Sequence, residues 1–542
     1  MRVPVLCALA LFGSLVASCD NRTLVEQATE ERILIIGNSN EPKGLDPHLV
    51  SGVLESNLLR ALFEGLAVDH PSKDGLSEKG EGGAVDWEAN EEFTVWTFKL
   101  NPLGKWSDGM PVTAHDYVFS YRRMLDPAFP AKYAEMLYYI KGAEEYNKGK
   151  NPDPESLGAR AIDDFTLEIT LRGPIPFLPE ITKHYTWYPV PRHVILKHGE
   201  MNEPFTEWTR PGNLVSNGPF QLKSWRVTHS IEVERNPHYW DAANVKLNGI
   251  RFMPISNYYT ETRMFLDGLL HITYSVPSEM IPYAKEKLPT LLRQEPYVGT
   301  RFIRCNTRVK PFDDPRVTHA LAAAIDRKTF IENILQGGQV PAYGITPPFR
   351  GYETPEVVGF DPEKARRLLA EAGYPDGDGF PEVKFLTTDR DGARRNAETF
   401  QAMLQENLGI NLRIEQREWT TYLQDQYDGN YELCDGGWIG DFLDPTTFLD
   451  MWTEGNGNNN TGWASKEFEA ALRRAENTAD PDMRFEILVE AENILLRDLP
   501  VIPIYWYTTN YLIRPEVQGW DPLLLNNHPY KYLDLIPPRS KR

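Results

Sequence analysis

Residues 480–513 read DPDMRFEILVEAENILLRDLPVIPIYWYTTNYLI, and the two halves of this stretch follow different periods. The first half opens on Asp480-Pro481, a capping acceptor ahead of a proline suited to the first helical position. Phe485, Leu488, Val489, Leu495 and Leu496 supply the apolar positions of a helix. The second half, Val501–Ile513, is β-branched and aromatic, which predicts a strand. The same helix signal recurs at Asp314-Pro315, followed by Val317, Leu321 and Ile325. It recurs again at Asp361-Pro362, followed by Leu368, Leu369 and Ala372, with Gly373 as the stop. Further strands are predicted at Arg32–Gly37, Phe93–Leu100, Thr166–Leu171, Ile231–Arg235, Val383–Thr387 and Leu412–Gln416. Residues 71–85, PSKDGLSEKGEGGAV, read as a surface loop. Strands and helices mixed along the whole chain predict an α/β protein with more than one lobe.

The chain has 542 residues, 57 Lys+Arg against 77 Asp+Glu, and a formal net charge of -20. The apolar and charged fractions are those of a globular protein, which excludes wholesale disorder. The acidic balance excludes a phosphate-backbone binder. The N-terminus, MRVPVLCALALFGSLVASC, has a charged Arg2 and an apolar run too short to span a bilayer, so 1–18 reads as a signal peptide. Its end, Val16-Ala17-Ser18-Cys19, resembles a bacterial lipobox, which implies lipidation of Cys19 and a polar tether over 19–31. A plain secretory cut near Ser18 is the alternative. Asp20 resembles an inner-membrane retention signal. With Cys7 removed and Cys19 acylated, Cys305 and Cys434 remain as an even pair in an oxidising compartment, and a disulfide between them is expected. Two buried free thiols are the alternative.

Signals for catalysis are absent. The eleven histidines include no pair at helical metal-ligand spacing. No G-x-S-x-G elbow and no phosphate loop occurs. Asp376-Gly-Asp-Gly and Asp389-Arg-Asp-Gly lack the acid at position twelve of a calcium loop and read as turns. No cofactor is expected, and the protein is read as a non-enzyme. A pair of acids suited to glycoside hydrolysis stays open.

A longer pattern runs through the chain. It comprises GLDPHLVSGVLESNLLRALFEGL near 44, WTFKLNPLGKWSDGMPVTAHDYVFSY at 96–121 and SNGPFQLKSW at 216–225. It continues with RNPHYWD at 235–241, FDDPRVTHALAAAIDR at 312–327, VPAYGITPP at 340–348, FDPEKARRLLAEAGYP at 360–375 and GGWIGDFLDPTTFL at 436–449. Together these segments resemble the extracellular peptide-binding proteins of ATP-binding-cassette importers, family 5 of the bacterial solute-binding proteins, and within them the oligopeptide-binding branch. The resemblance implies a three-lobed periplasmic-binding-protein-like α/β fold, class II and cluster C in type, with mixed sheets and a hinge between two main lobes. Lobe I would comprise 32–63, 191–298 and 509–542, lobe II 64–190 and lobe III 299–508. It further implies a monomer, held to the membrane only by its lipid, in the periplasm or on the outer face of the cytoplasmic membrane. Such a protein captures short peptides and hands them to a permease driven by an ATPase.

A pocket for many peptides must grip what peptides share, which is a backbone and an ammonium. One acid, aromatics and glycine-rich backbone suffice, and Gly436-Gly437-Trp438-Ile439-Gly440-Asp441 has that composition. The resemblance implies that Asp441 binds the ligand's amine, with a turn or cap role as the alternative. It implies that Gly437, Gly440, Trp438, Trp419, Tyr507 and Tyr133 line the ligand, the aromatics having plain packing as their alternative. Ser51 stands where relatives carry an acid. Leu335, Ala393, Gln426 and Asp435 stand where relatives carry bases that meet ligand carboxylates, with Arg394 and Arg395 close by as substitutes. A different solute on the same fold (a cell-wall peptide, a saccharide or a metal chelate) is the second reading. An extracytoplasmic hydrolase and a signalling or chaperone-like protein are the others.

Overall fold

The computed structural model describes residues 22–71, 79–348, 351–357, 359–390 and 392–537. The signal segment, Cys19 and part of the 71–85 loop lie outside the described residues. Strand β1 (Ile33–Gly37) runs parallel to Gly249–Met253, which is followed in the sheet by Ser230–Arg235 and Phe220–Arg226. A second, antiparallel sheet is built from Ala84–Ala89, Val95–Leu100, Thr166–Thr170 and Ala159–Asp163. One continuous apolar core joins these two sheets.

The third sheet is mixed. Its middle holds β2 (Leu292–Cys305), flanked by β3 (Leu433–Ile439) and β4 (Val501–Leu512), both antiparallel to it. Val383–Thr388 and Leu412–Arg417 extend it in parallel, and Val340–Pro341 closes the far edge. Helices Pro315–Ala324, Pro362–Glu371 and Pro481–Asp498 begin where the Asp-Pro pairs placed them, each with its aspartate accepting a first-turn N–H. The second core belongs to this sheet and these helices. Strands β2 and β4 are long enough to leave it. Val501, Ile502 and Ile504 sit in the second core, whereas Tyr511 reaches the first and Leu512 a small cluster with Ile35 and Phe265. Between those ends the β2–β4 register shifts twice, at Pro503/Tyr505 and Trp506/Thr508. Such shifts bend and twist a ladder locally.

Two expectations are corrected. The described part of the 19–31 tether is a docked helix, Leu24–Glu30, with a capping box between Thr23 and Glu26. Val25 and Ala28 are buried, and Thr29 Oγ1 meets His271 Nε2 at 3.0 Å. A charged segment therefore orders because two small apolar side chains fit a groove on the body. The disulfide is not formed: Cys305 and Cys434 are free, buried thiols. Register explains this. Cys305 faces Leu433 across β2–β3, and Cys434 faces Arg304, so adjacent pair positions send the two sulfurs to opposite sides of the sheet. Cys434 lies in a separate cluster with Leu386, Tyr422 and Tyr431. Burial pushes the Cys434 thiol up to about 11 and holds Cys305 higher still. Both should resist iodoacetamide in the native protein. After denaturation both should be alkylated to the same extent with and without reductant, as read by intact mass.

Candidate functional site

Strand β3 is paired on only part of one side. Its ladder with β2 runs the full length, from Leu433 to Ile439. Its ladder with Val383–Thr388 covers only Leu433 and Cys434. Among the described residues no strand covers the outer edge of Gly436–Ile439, and an uncovered edge offers its N–H and C=O groups to any extended chain. Gly437 keeps this stretch slender. A Cβ there would lie 2.5 Å from Tyr507 Oη, and one at Gly299, opposite Ile439, would lie 3.0 Å from Tyr507 Cδ2.

Beyond the strand the chain turns sharply, and the turn is pinned. Gly440 N–H donates to Val298 O at 2.8 Å, and Asp441 N–H donates to Thr447 Oγ1 at 3.1 Å. The capping residue of this turn is Asp444, which accepts from Thr446 N–H and pairs with Arg484 at 2.7 and 2.8 Å, both side chains buried. Asp441 is therefore released from any capping duty. Next to it, Phe442 leaves its own core and is buried in the other one. Its ring stacks on Phe177 at 5.8 Å and meets Tyr139 edge-on at 6.4 Å, and the Arg484 guanidinium lies 4.4 Å over Phe177.

The Asp441 carboxylate is half-buried and has no hydrogen bond or ion pair among the described residues. Burial, and behind it the Glu135 carboxylate, push its pKa from the ordinary 3.8 up to about 7. Its charge acts on the phenols of Tyr133, Tyr185 and Tyr297. Burial keeps all three protonated, Tyr297 rising to about 12. The site is thus a desolvated acid ringed by neutral phenols, a place where a cation is favoured.

The predicted residues divide around it. Tyr133 stands beside Asp441, and Tyr507 reaches the group through Tyr297. Trp438 is partly buried against the second core, opposite Thr300, with its Nε1 lacking a partner. Trp419 is 41% exposed at the start of helix Trp419–Asp428, stacked on Tyr422 at 5.5 Å beneath the Arg390 guanidinium at 4.2 Å. Ser51 is exposed just ahead of helix Val53–Leu62. Leu335, Ala393 and Gln426 are buried. Asp435 is buried too, in an ion pair with Arg301 and a 3.2 Å bond from Thr387 Oγ1. Arg394 pairs with Glu398 and Arg395 with Glu279. Sequence reasoning missed Tyr185, Tyr297, Glu135 and Phe442. The aromatic run His184-Tyr-Thr-Trp-Tyr was the signal available for the first. Among the described residues no group of three His, Cys, Asp or Glu side chains suits a metal ion, and no helix is long and apolar enough to cross a membrane.

Comparison with known proteins brings four findings. The family model for bacterial extracellular solute-binding proteins, family 5 (middle region), matches residues 82–460. The periplasmic oligopeptide-binding protein of Salmonella typhimurium is 36% identical, with 92% of each chain covered. The periplasmic murein peptide-binding protein of Escherichia coli is 33% identical, with 91% of this chain and 90% of that protein covered. Among solved structures, Haemophilus influenzae OppA in complex with RPPGFSPFR superposes with a TM-score of 0.81 at 30% identity, covering 94% of this chain and 99% of that one.

The raised pKa of Asp441 has a sign for stability. Between about pH 4 and 7 the folded chain holds a proton here that the unfolded chain has lost, so this group's contribution falls as pH rises through that window. Asp441→Asn removes the effect. Its melting temperature should match the parent's near pH 4 and exceed it at pH 8, a gain of about 1–3 kcal/mol, checked by calorimetry at the two pH values.

Proposed function

This chain belongs to the bacterial extracellular solute-binding proteins of family 5, and from that premise we propose that it is the extracytoplasmic binding subunit of an ATP-binding-cassette importer for oligopeptides. The observation that carries the reading is the unpaired Asp441 carboxylate at the end of the uncovered β3 edge. An extended peptide laid along Gly436–Ile439 gains backbone hydrogen bonds that do not depend on its sequence. Its terminal ammonium then supplies the charge Asp441 lacks, in a charge-assisted bond strengthened by the dry surroundings. Trp438, Trp419, Tyr507 and Tyr133 line the side-chain space, with Gly437, Gly440 and Ser51 leaving room for the ligand, and water fits each side chain into it.

Lobe I is 32–63 with 191–298 and 509–542, lobe II is 64–190 and lobe III is 299–508. The register shifts in β2–β4 fall close to the lobe I–III boundary and serve as the hinge. Phe442, adjacent to the anchor, docks lobe III onto Tyr139 and Phe177 of lobe II, which ties ligand capture to closure. Cys19 carries the lipid that holds the protein to the membrane, and the closed form is read by the permease. Its relatives are binding proteins, and the chain works without catalysis. The second reading is a cell-wall peptide as the solute. It is favoured by Leu335, Ala393, Gln426 and Asp435, which leave a standard C-terminal carboxylate without the bases it meets in relatives.

Calorimetry tests the anchor. Free-amine peptides should bind, and N-acetylated copies should bind more weakly by about 2–5 kcal/mol. Asp441→Ala should lose the same amount for free-amine peptides and almost nothing for acetylated ones. Equal affinity for both peptide forms in the parent rejects the amine anchor. Native mass spectrometry of protein purified without refolding separates the two solutes: many short-peptide masses support the first, and one recurring muropeptide mass supports the second.

A further inference from the structure

Asp441 is not the only half-buried charge without an ion pair. Helix Val53–Leu62 carries Arg60, whose guanidinium has no ion pair among the described residues and whose Nε is fully enclosed without a hydrogen bond. Arg60 lines a cavity of about 30 Å³ together with Tyr188, Asn527 and Tyr530. No hydrogen bond is made by either phenol or by the Asn527 amide among the described residues. Burial holds both phenols well above their usual range, so each keeps an O–H to donate. Four donor groups therefore converge on one space. The acids on its wall are engaged elsewhere. Asp69 accepts from Lys183 at 2.9 Å, and Glu64 accepts from Trp240 at 2.7 Å and from Tyr239. Lys531 lies against Glu81 at 3.6 Å. Both Glu64 oxygens are thus held by neutral donors, and Arg60 is the cation of this wall without an acidic partner among the described residues.

A half-buried guanidinium beside donors that make no other hydrogen bond is complementary to an acceptor-only group, and its fork matches a carboxylate. We infer that this cavity is a binding site for a carboxylate-sized anion, with Arg60 as its counter-charge and Tyr188, Tyr530 and Asn527 as its remaining donors. The anion has two possible sources. One is a free ion from solution. The other is the acidic side chain of a ligand's first residue, because the charges of Arg60 and Asp441 act in opposite directions on the same two phenols, Tyr185 and Tyr297. Both charges therefore lie within electrostatic reach of Tyr185 and Tyr297, and a ligand whose amine meets Asp441 would carry its first side chain into the same region. This second source rests on the peptide-binding reading, and the first does not.

Two measurements on the parent and on Arg60→Met test the site. Calorimetry compares tripeptides that begin with Glu and with Gln and are otherwise identical. Thermal melting of the ligand-free protein follows a titration with sodium acetate. A roughly tenfold preference for the Glu peptide in the parent, lost in Arg60→Met, supports the site with the ligand as its source. An acetate-dependent rise of a few degrees in the parent, absent from the variant, supports it with a free ion as its source. Equal responses of parent and variant in both measurements overturn it. Arg60→Lys, which keeps the charge but loses the fork, should retain the sign of either effect at reduced size, and it serves if the methionine variant does not fold. If neither peptide binds the parent, the peptide reading fails, while the acetate measurement still decides the cavity.

Discussion

A carboxylate withdrawn from water must hold a proton or face a cation, and in this chain Asp441 is given no cation of its own. The cost of leaving it so is several kcal/mol at most sites of comparable burial. The surrounding structure is arranged to maintain that deficit. Asp444 and Arg484 satisfy each other and fix the turn, so Asp441 has no local bond to retreat into. The neighbouring Tyr133, Tyr185 and Tyr297 supply bulk and dryness but no positive charge. In the proposed function this deficit is what a ligand ammonium would relieve, so selectivity for the common end of every peptide would arise from one unmade interaction.

The contrast with the other buried charges makes the point. Asp46 meets Arg123 at 2.6 and 3.1 Å, with His48 beside it. Lys183 lies between Asp69 and Glu180. Glu492 accepts from the N–H groups of Ile345 and Thr346 and from Tyr352 Oη. Each of these groups has at least one partner far away in sequence, and such networks hold a scaffold rigid. Asp441 and Arg60 differ from these groups in having no ion pair among the described residues.

The scaffold also joins two cores around the site. Two cores are joined by a long antiparallel pair, β2 and β4, whose register shifts lie between them. Phe442 crosses in the opposite sense, being carried by the lobe of one core and buried in the other. The unpaired acid Asp441 is thus directly followed in sequence by the ring that joins the two cores.

What the amino-acid order determined by itself was local. Asp-Pro pairs marked three helix starts, because capping and a preset φ act within one turn. The β-branched and aromatic run after Pro500 marked its strand for the same reason. The glycine-rich segment ending in Asp441 was legible as a candidate anchor through its likeness to a family. Tertiary structure decided the rest. Cys305 and Cys434 looked like a bond until register sent them to opposite faces, and 24–30 looked like a tether until two apolar side chains found a groove. Whether Asp441 and Arg60 are paired or alone depends on Glu135, Tyr297, Tyr530 and other residues that only folding brings near. Pairing and dryness are sums over neighbours distant along the chain, so the charges that define this site were visible as letters and became a site only in three dimensions.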